Sequence, residues 1–266
     1  AGIPLVVASQ FPLSKEGSIL VTREFYRGLL WGESPWVLLH RIRTGLHGRL
    51  TAHSHDWASL VVYEALPTNL AEQLEEARYR QGRLAIEAAL ERCDQAVREF
   101  GAKLEPAQHK QLGQTVIEAC ERLPMNSRFA MECRGLRASS NKRLAMAEFN
   151  IALAASADAQ LQHVMQSCVH LEQALNDYEQ AVTGFLVNQG QAVQRMASLH
   201  WVLVQQLSLS AVLGKRVRDG TWETARLSAE AYLDLKNVEE RAWAHGSLAE
   251  LWLLRLTDAT LTPADR

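Results

Sequence analysis

Two short apolar runs, Ile3-Pro-Leu-Val-Val-Ala8 and Leu60-Val-Val-Tyr63, limit what this chain can fold into more than any other feature. The first is a continuous apolar run, as expected of a strand covered on both faces, and in the second Leu60 and Val62 alternate with Val61 and Tyr63. Between them the apolar spacing changes to a helical period. After residue 66 no convincing strand follows. The two runs therefore read as strands at the start of a chain that is otherwise helical.

The connecting segment carries clear punctuation. Pro12-Leu-Ser14 turns the chain, and Ser14 is placed to cap a helix running to about Trp31. Ile19, Phe25, Tyr26, Leu29 and Leu30 are expected on its apolar face, and Gly32 ends it. Ser34-Pro35 is a cap followed by proline at the first helical position. The second helix should carry Trp36, Leu39, Ile42, Leu46 and Leu50 on one face. The strand SLVVYEAL returns, and Pro67 stops it. The predicted order over residues 1–66 is strand, helix, helix, strand.

From residue 67 to 266 the pattern predicts only helices. A long one follows Thr68 and closes at Gly101; another opens at Pro106 and is interrupted by Pro124. Further starts are read at Ser139-Ser140 and Asp158, after Gln189-Gly190, at Asp219-Gly220-Thr221 and at Asn237. Short loops between them predict antiparallel neighbours. Tyr178-Glu-Gln-Ala181 and Trp222-Glu-Thr-Ala225 share an aromatic-x-x-Ala pattern, and Leu248-Ala249 with Trp252 has the matching first-helix form. This is similar to tetratricopeptide grammar, although the two Ala anchors lie further apart than the roughly 34-residue repeat. An irregular helical bundle would bury the same residues.

Several residues of the first region recur in a fixed order: Gly2-x-Pro4 entering Val6-Val7; Gln10-Phe11-Pro12 after that strand; Phe25-Tyr26 with Leu29 and Gly32; a helix with Arg41 and Arg43; and Trp57-Ala58 ahead of the final strand. In this order they resemble the C-terminal part of a CHAT domain, a bacterial caspase-like cysteine-peptidase domain usually found beside tetratricopeptide repeats. The resemblance covers about a quarter of the chain. It implies a fold that is mixed but mostly α: a strand–helix–helix–strand remnant of a caspase-like α/β sheet in residues 1–66, then a tetratricopeptide-like helical array in residues 67–266. It also implies that the catalytic His and Cys precede the first strand, so neither belongs to this chain. Ala1 leads straight into a strand run with no polar lead-in or initiator Met, which reads as a fragment of a longer protein.

The same resemblance places Ser9 and Gln10, just after the first strand, at the substrate groove of a complete parent. No catalytic residue is assigned. His47-Gly48, His245-Gly246 and Glu118-Ala-Cys120 carry the dipeptides of such a peptidase, but each lies within a helical pattern. The segment His53-Ser-His55-Asp56-Trp57 concentrates groups typical of metal and acid–base sites. It lacks an evident third ligand and reads as a surface turn closing the sheet, with Trp57 covering the sheet's end.

Composition narrows the remaining classes. A formal net charge of −2 over 266 residues gives no general pull toward nucleic acid or a membrane surface. No apolar stretch approaches the length of a membrane-spanning helix. Cys93, Cys120, Cys133 and Cys168 are scattered, which suits a reducing, cytoplasmic setting. No cofactor or metal is expected. The basic residues Arg128, Arg134, Arg137, Lys142 and Arg143 read as a solvated surface, and the seven tryptophans as packing between helices. The resemblance to a CHAT domain, and not the composition, implies a regulatory or scaffolding part of a CHAT protein, whose helical array holds a protein or peptide partner in signalling or defence. The small portion of a two-chain cysteine peptidase and a plain helical interaction module are the alternatives. Self-association through the sheet edge at residues 3–9 is expected.

Overall fold

The computed structural model describes residues 5–49, 55–187, 199–217, 220–233 and 238–257. Strand β1 (Leu5–Ser9) is followed by helices α1 (Lys15–Leu30), α2 (Pro35–Arg49) and the single turn α3 (Asp56–Ser59), then by strand β2 (Leu60–Glu64). Thereafter the described residues form helices α4 (Leu70–Phe100), α5 (Pro106–Glu121), α6 (Ala130–Ala154), α7 (Ala157–Val187), α8 (Leu199–Val212), α9 (Thr221–Glu230) and α10 (Val238–Thr257), with a short 3-10 turn at Gly101–Lys103. The protein is mostly α with one small antiparallel sheet near its N-terminus. The chain packs as two units, residues 1–85 with 122–128, and residues 86–121 with 129–266.

In the first unit, β1 and β2 pair antiparallel in a single register, from Leu5 opposite Glu64 to Ser9 opposite Leu60. The Gln10 N–H donates to the Ser59 carbonyl at 2.8 Å. This brackets Ser9–Leu60 as a non-hydrogen-bonded pair, and alternation along the ladder turns the N–H and C=O groups of Leu60, Val62 and Glu64 away from β1. Val7 and Leu60 join Leu20, Val21 and Phe25 of α1 and Ile42 and Leu46 of α2 in the core. Val6 and Tyr63 occupy the opposite face and are exposed.

The caps are those the sequence announces. The Ser14 hydroxyl accepts from the Gly17 N–H, and Gly32 ends α1 with φ +66°. Gly32 also lets the first half of α4 approach. A Cβ there would stand 2.6 Å from the Leu74 carbonyl oxygen, and the Arg78 Nε donates to the Gly32 carbonyl at 3.0 Å. The inward face of α1 is turned from the expected one. Leu20 is buried, whereas Ile19, Tyr26 and Leu30 are exposed. Gly17 and Gly28 set this rotation, because they bring the helix close to Asp56 and Leu38. On α2, Leu39, Ile42 and Leu46 are buried as expected, but Trp36 is half exposed. Leu50 lies outside the described residues.

In the second unit, α6 and α7 form a long antiparallel hairpin. The helix start read at Ser139-Ser140 is corrected: α6 begins at Ala130 and runs through both serines. The Ser140 hydroxyl donates to the Leu136 carbonyl one turn back, which satisfies it inside a helix. Helix α8 is buried on nearly every side, touching α7, α9 and α10. Tyr178, Ala181 and Ala225 are fully buried, as the aromatic-x-x-Ala pattern requires, but Ala249 is exposed. The tryptophans also depart from the expectation. Trp201 packs edge-on to Tyr178, and Trp222 to Trp252, while Trp36, Trp57, Trp243 and Trp252 are substantially exposed.

The rotation of α1 gives a direct test. A Cβ at Gly28 would fall 1.9 Å from a Leu38 methyl carbon, whereas Gly48 has open space around it. Gly28→Val should destabilise the protein by about 1–3 kcal/mol in urea unfolding. Gly48→Ala should be neutral or stabilising by up to about 1 kcal/mol.

Candidate functional site

The segment around Asp56 is a structural lock. Asp56 is 7% exposed. Its carboxylate accepts from the Ser14 N–H at 3.2 and 3.3 Å and from the Ser14 hydroxyl at 2.5 Å. The Ser14 hydroxyl in turn accepts from Gly17 at 3.0 Å. The turn after β1 is thereby tied to the turn before β2. A Cβ on Gly17 would lie 2.2 Å from the Asp56 carboxylate, so only glycine leaves room for the contact. His55 is exposed and makes no side-chain cap. Trp57 packs edge-on against His47 of α2 at 5.3 Å, rather than over the sheet. His53 lies outside the described residues; among those described, no group of three or more His, Cys, Asp or Glu is arranged to hold a metal.

Ser9 and Gln10 sit at the carboxyl end of β1, and both are exposed. The Ser9 hydroxyl lies within hydrogen-bonding distance of the Ser59 hydroxyl (2.8 Å) and the Phe11 carbonyl (2.5 Å). Neither residue lines the open groove of about 480 Å³ beside β2, which is formed by Trp36, Leu39, His40 and Arg43 of α2 and residues 60–63. In that groove the Arg43 Nη2 donates to the outward-facing Leu60 carbonyl at 2.7 Å. It thus supplies one of the bonds that a further strand would make.

The peptidase-like dipeptides are accounted for. His47 and His245 are exposed positions within α2 and α10. Cys120 is buried in α5 with Ser140 as a hydrogen-bond neighbour, and burial raises its pKa, which keeps it a thiol. Burial likewise raises Cys93 to about 11 and Cys133 to about 12. The basic run is largely taken up in pairing. Arg128 meets Glu76, Arg137 meets Asp177, Arg143 meets Asp94, and Lys142 donates to Gln205. Arg137, Lys142 and Arg143 therefore hold helices together instead of forming the solvated surface expected.

A histidine–carboxylate cluster around buried Glu148 has no signal in the sequence. Glu148 of α6, 7% exposed, lies 2.6 Å from the Nδ1 of His163 on α7 and 3.6 Å from the Nδ1 of His109 on α5. The two imidazoles meet edge to face at 6.2 Å. His170 of α7 reaches Asn141 at 3.3 Å, and His200 of α8 reaches Ser247 of α10 at 2.8 Å. These residues come from five separate helices, so no local spacing signals them.

Among the described residues from Leu5 to Glu64 the order is thus strand, helices and strand, with β1 and β2 side by side. Residues 1–65 match the family model described as the CHAT domain, and a largely helical region follows. No curated protein and no solved structure matches the chain. Among the described residues, no helix is long and apolar enough to cross a membrane.

Two expectations follow. Asp56→Ala should cost about 1–3 kcal/mol, because it strands the donors of Ser14, while His55→Ala should leave urea unfolding unchanged. The second concerns pH. Burial lowers the pKa of His109, His170 and His200 in the fold. For His109 and His170, Glu148 opposes the shift and a neighbouring histidine adds to it. The unfolded chain therefore binds more protons once pH falls below about 6.5. Stability should be full above that value and decline below it, read as a falling melting temperature by circular dichroism. The slope should be shallower in His109→Gln and His170→Gln.

Proposed function

We propose that this chain is a regulatory and scaffolding fragment of a bacterial CHAT-type, caspase-like protein. Its N-terminal domain, residues 1–66, contributes two strands and two helices to a larger sheet. Its helical domain, residues 67–266, binds a protein or peptide partner in signalling or defence. The catalytic His and Cys belong to polypeptide that precedes β1. In the completed sheet Ser9 and Gln10, at the carboxyl end of β1, line the substrate groove.

The observation that carries this reading is the open sheet of the CHAT-matching segment. Among the described residues each strand pairs on one side only, and a two-stranded sheet alone is marginal in water. Val6, Tyr63, Ile19, Tyr26, Leu30 and Trp36 expose apolar surface in the same unit. Cys93, Cys120 and Cys133 are buried with raised pKa, which supports placing the nucleophile elsewhere than at these three.

The complete reading frame should encode, upstream of Ala1, a His-Gly after a strand and then an Ala-Cys at the end of a later strand. A stop codon directly upstream would overturn the proposal. In the complete polypeptide, deleting α6 to α10 should change the rate of peptide cleavage, and an unchanged rate would remove the regulatory role. The isolated chain should self-associate through β1 in sedimentation velocity, and Val6→Lys should shift it toward monomer. A clean monomer at high concentration would count against an open edge.

A further inference from the structure

Among the described residues, α8 covers only the first half of one face of α6. On that helix Gly135, Ala138, Lys142, Met146, Phe149 and Leu153 follow one another in steps of three or four residues, so they share a face. Trp201 of α8 stands 3.2 Å from where a Gly135 Cβ would be, Ala138 shares a buried cluster with Val202 and Leu209, and Lys142 donates to Gln205. Beyond Lys142 the same face continues toward the hairpin turn as Met146, Phe149 and Leu153, all exposed. On α7, which returns beside α6, Leu161, Met165 and Val169 recur every fourth residue. The six apolar side chains are between 44% and 66% exposed.

The surface around them is uncharged. From Leu144 to Leu171 the sequence holds no Lys or Arg, and its carboxylates are Glu148 and Asp158, although 22% of the whole chain is charged. Glu148 is turned inward, to His163 and His109. The exposed polar residues Asn150, Gln162 and Gln166 are neutral. Depletion of charge around Met and Phe is the composition of an interface core, not of a solvated helix face.

These features favour a second copy of this chain as the occupant. An uncharged surface offers an acidic or basic partner nothing to complement, and it does not repel an identical surface laid against it. A lipid surface would call for Lys or Arg beside the apolar stripe, and the segment has none. Each of the six side chains leaves on the order of 100 Å² open, so a two-fold contact would remove about 1,200 Å² from water, which reaches the size of a specific interface. Two antiparallel helices meeting the same two of another copy is also the packing of a four-helix bundle.

We propose that the half of the α6–α7 hairpin next to its turn is a self-association surface, on which Met146, Phe149, Leu153, Leu161, Met165 and Val169 pack against the same residues of a second copy about a two-fold axis. This contact is separate from the sheet edge at β1 and does not depend on the reading of the chain as a CHAT fragment. A chain with both contacts available assembles beyond a dimer.

The test is sedimentation velocity on the full chain carrying Val6→Lys, which removes the sheet-edge contact. Its shift toward monomer should stop at a dimer that dissociates on dilution. In that background Phe149→Glu and Met165→Glu should each weaken the dimer about tenfold or more, because each places a carboxylate in an apolar contact. Both change exposed side chains, so the melting temperature of the dilute monomer should be unchanged. Leu227→Glu, at a comparably exposed apolar position on α9, should leave the dimer as it is. A Val6→Lys protein that stays monomeric at high concentration overturns the proposal, as does a dimer that neither glutamate weakens. A monomer that floats with phosphatidylcholine vesicles assigns the surface to lipid and overturns it as well. The two self-contacts fail separately. With the β1 edge intact, Phe149→Glu should still associate through β1; loss of all association in that variant would sink the sheet-edge contact and keep this one.

Discussion

The antiparallel register of Leu5–Ser9 against Leu60–Glu64 is the constraint on which the N-terminal unit depends. The two strands are separated by the whole of α1, α2 and α3, so they meet only if those helices fold back together. Asp56 makes the return specific. Its buried carboxylate holds Ser14 at the start of α1, while the Ser59 hydroxyl meets Ser9 at the end of β1. The same carboxylate explains why the opening of α1 carries glycine at residue 17, since any side chain would enter the space the carboxylate occupies. A cluster that looks catalytic in the sequence is therefore used to close a fold.

The helical unit depends on a different kind of contact. Arg137–Asp177, Arg143–Asp94 and the Glu148 cluster all cross between helices at half-buried or buried positions. Removing the partner of Asp177 or of Glu148 costs more than the contact gains, because the remaining charge is left in a poor solvent. These contacts fix rotation and register among helices that apolar packing alone would let slide. The Arg137–Asp177 pair also lines a hollow of about 290 Å³ between α5, α6 and α7.

Much of the architecture was legible because it is written locally. Ser14, Gly32, Ser34-Pro35, Gly101 and Pro106 mark helix ends through hydrogen bonds and dihedral limits that act over three or four residues. Ser139-Ser140 misled for the same local reason. Two serines look like a cap, but within α6 the hydroxyl of Ser140 bonds back to Leu136 and the helix continues. The candidate site was less legible. Only the resemblance points to Ser9 and Gln10; their exposure and the hydroxyl contact of Ser9 to Ser59 belong to the tertiary structure.

The sequence alone determined the order of strands and helices, the stops between them and the likeness of residues 1–65 to a CHAT domain, since periodicity and capping depend on near neighbours. Only the tertiary structure decided that α1 buries Leu20 and not Ile19, that Asp56 binds Ser14, and that Arg128, Arg137 and Arg143 meet carboxylates of other helices. The partners in those contacts are remote along the chain. Their meeting is set by how closely helices approach, and that depends on shape in three dimensions rather than on any local pattern.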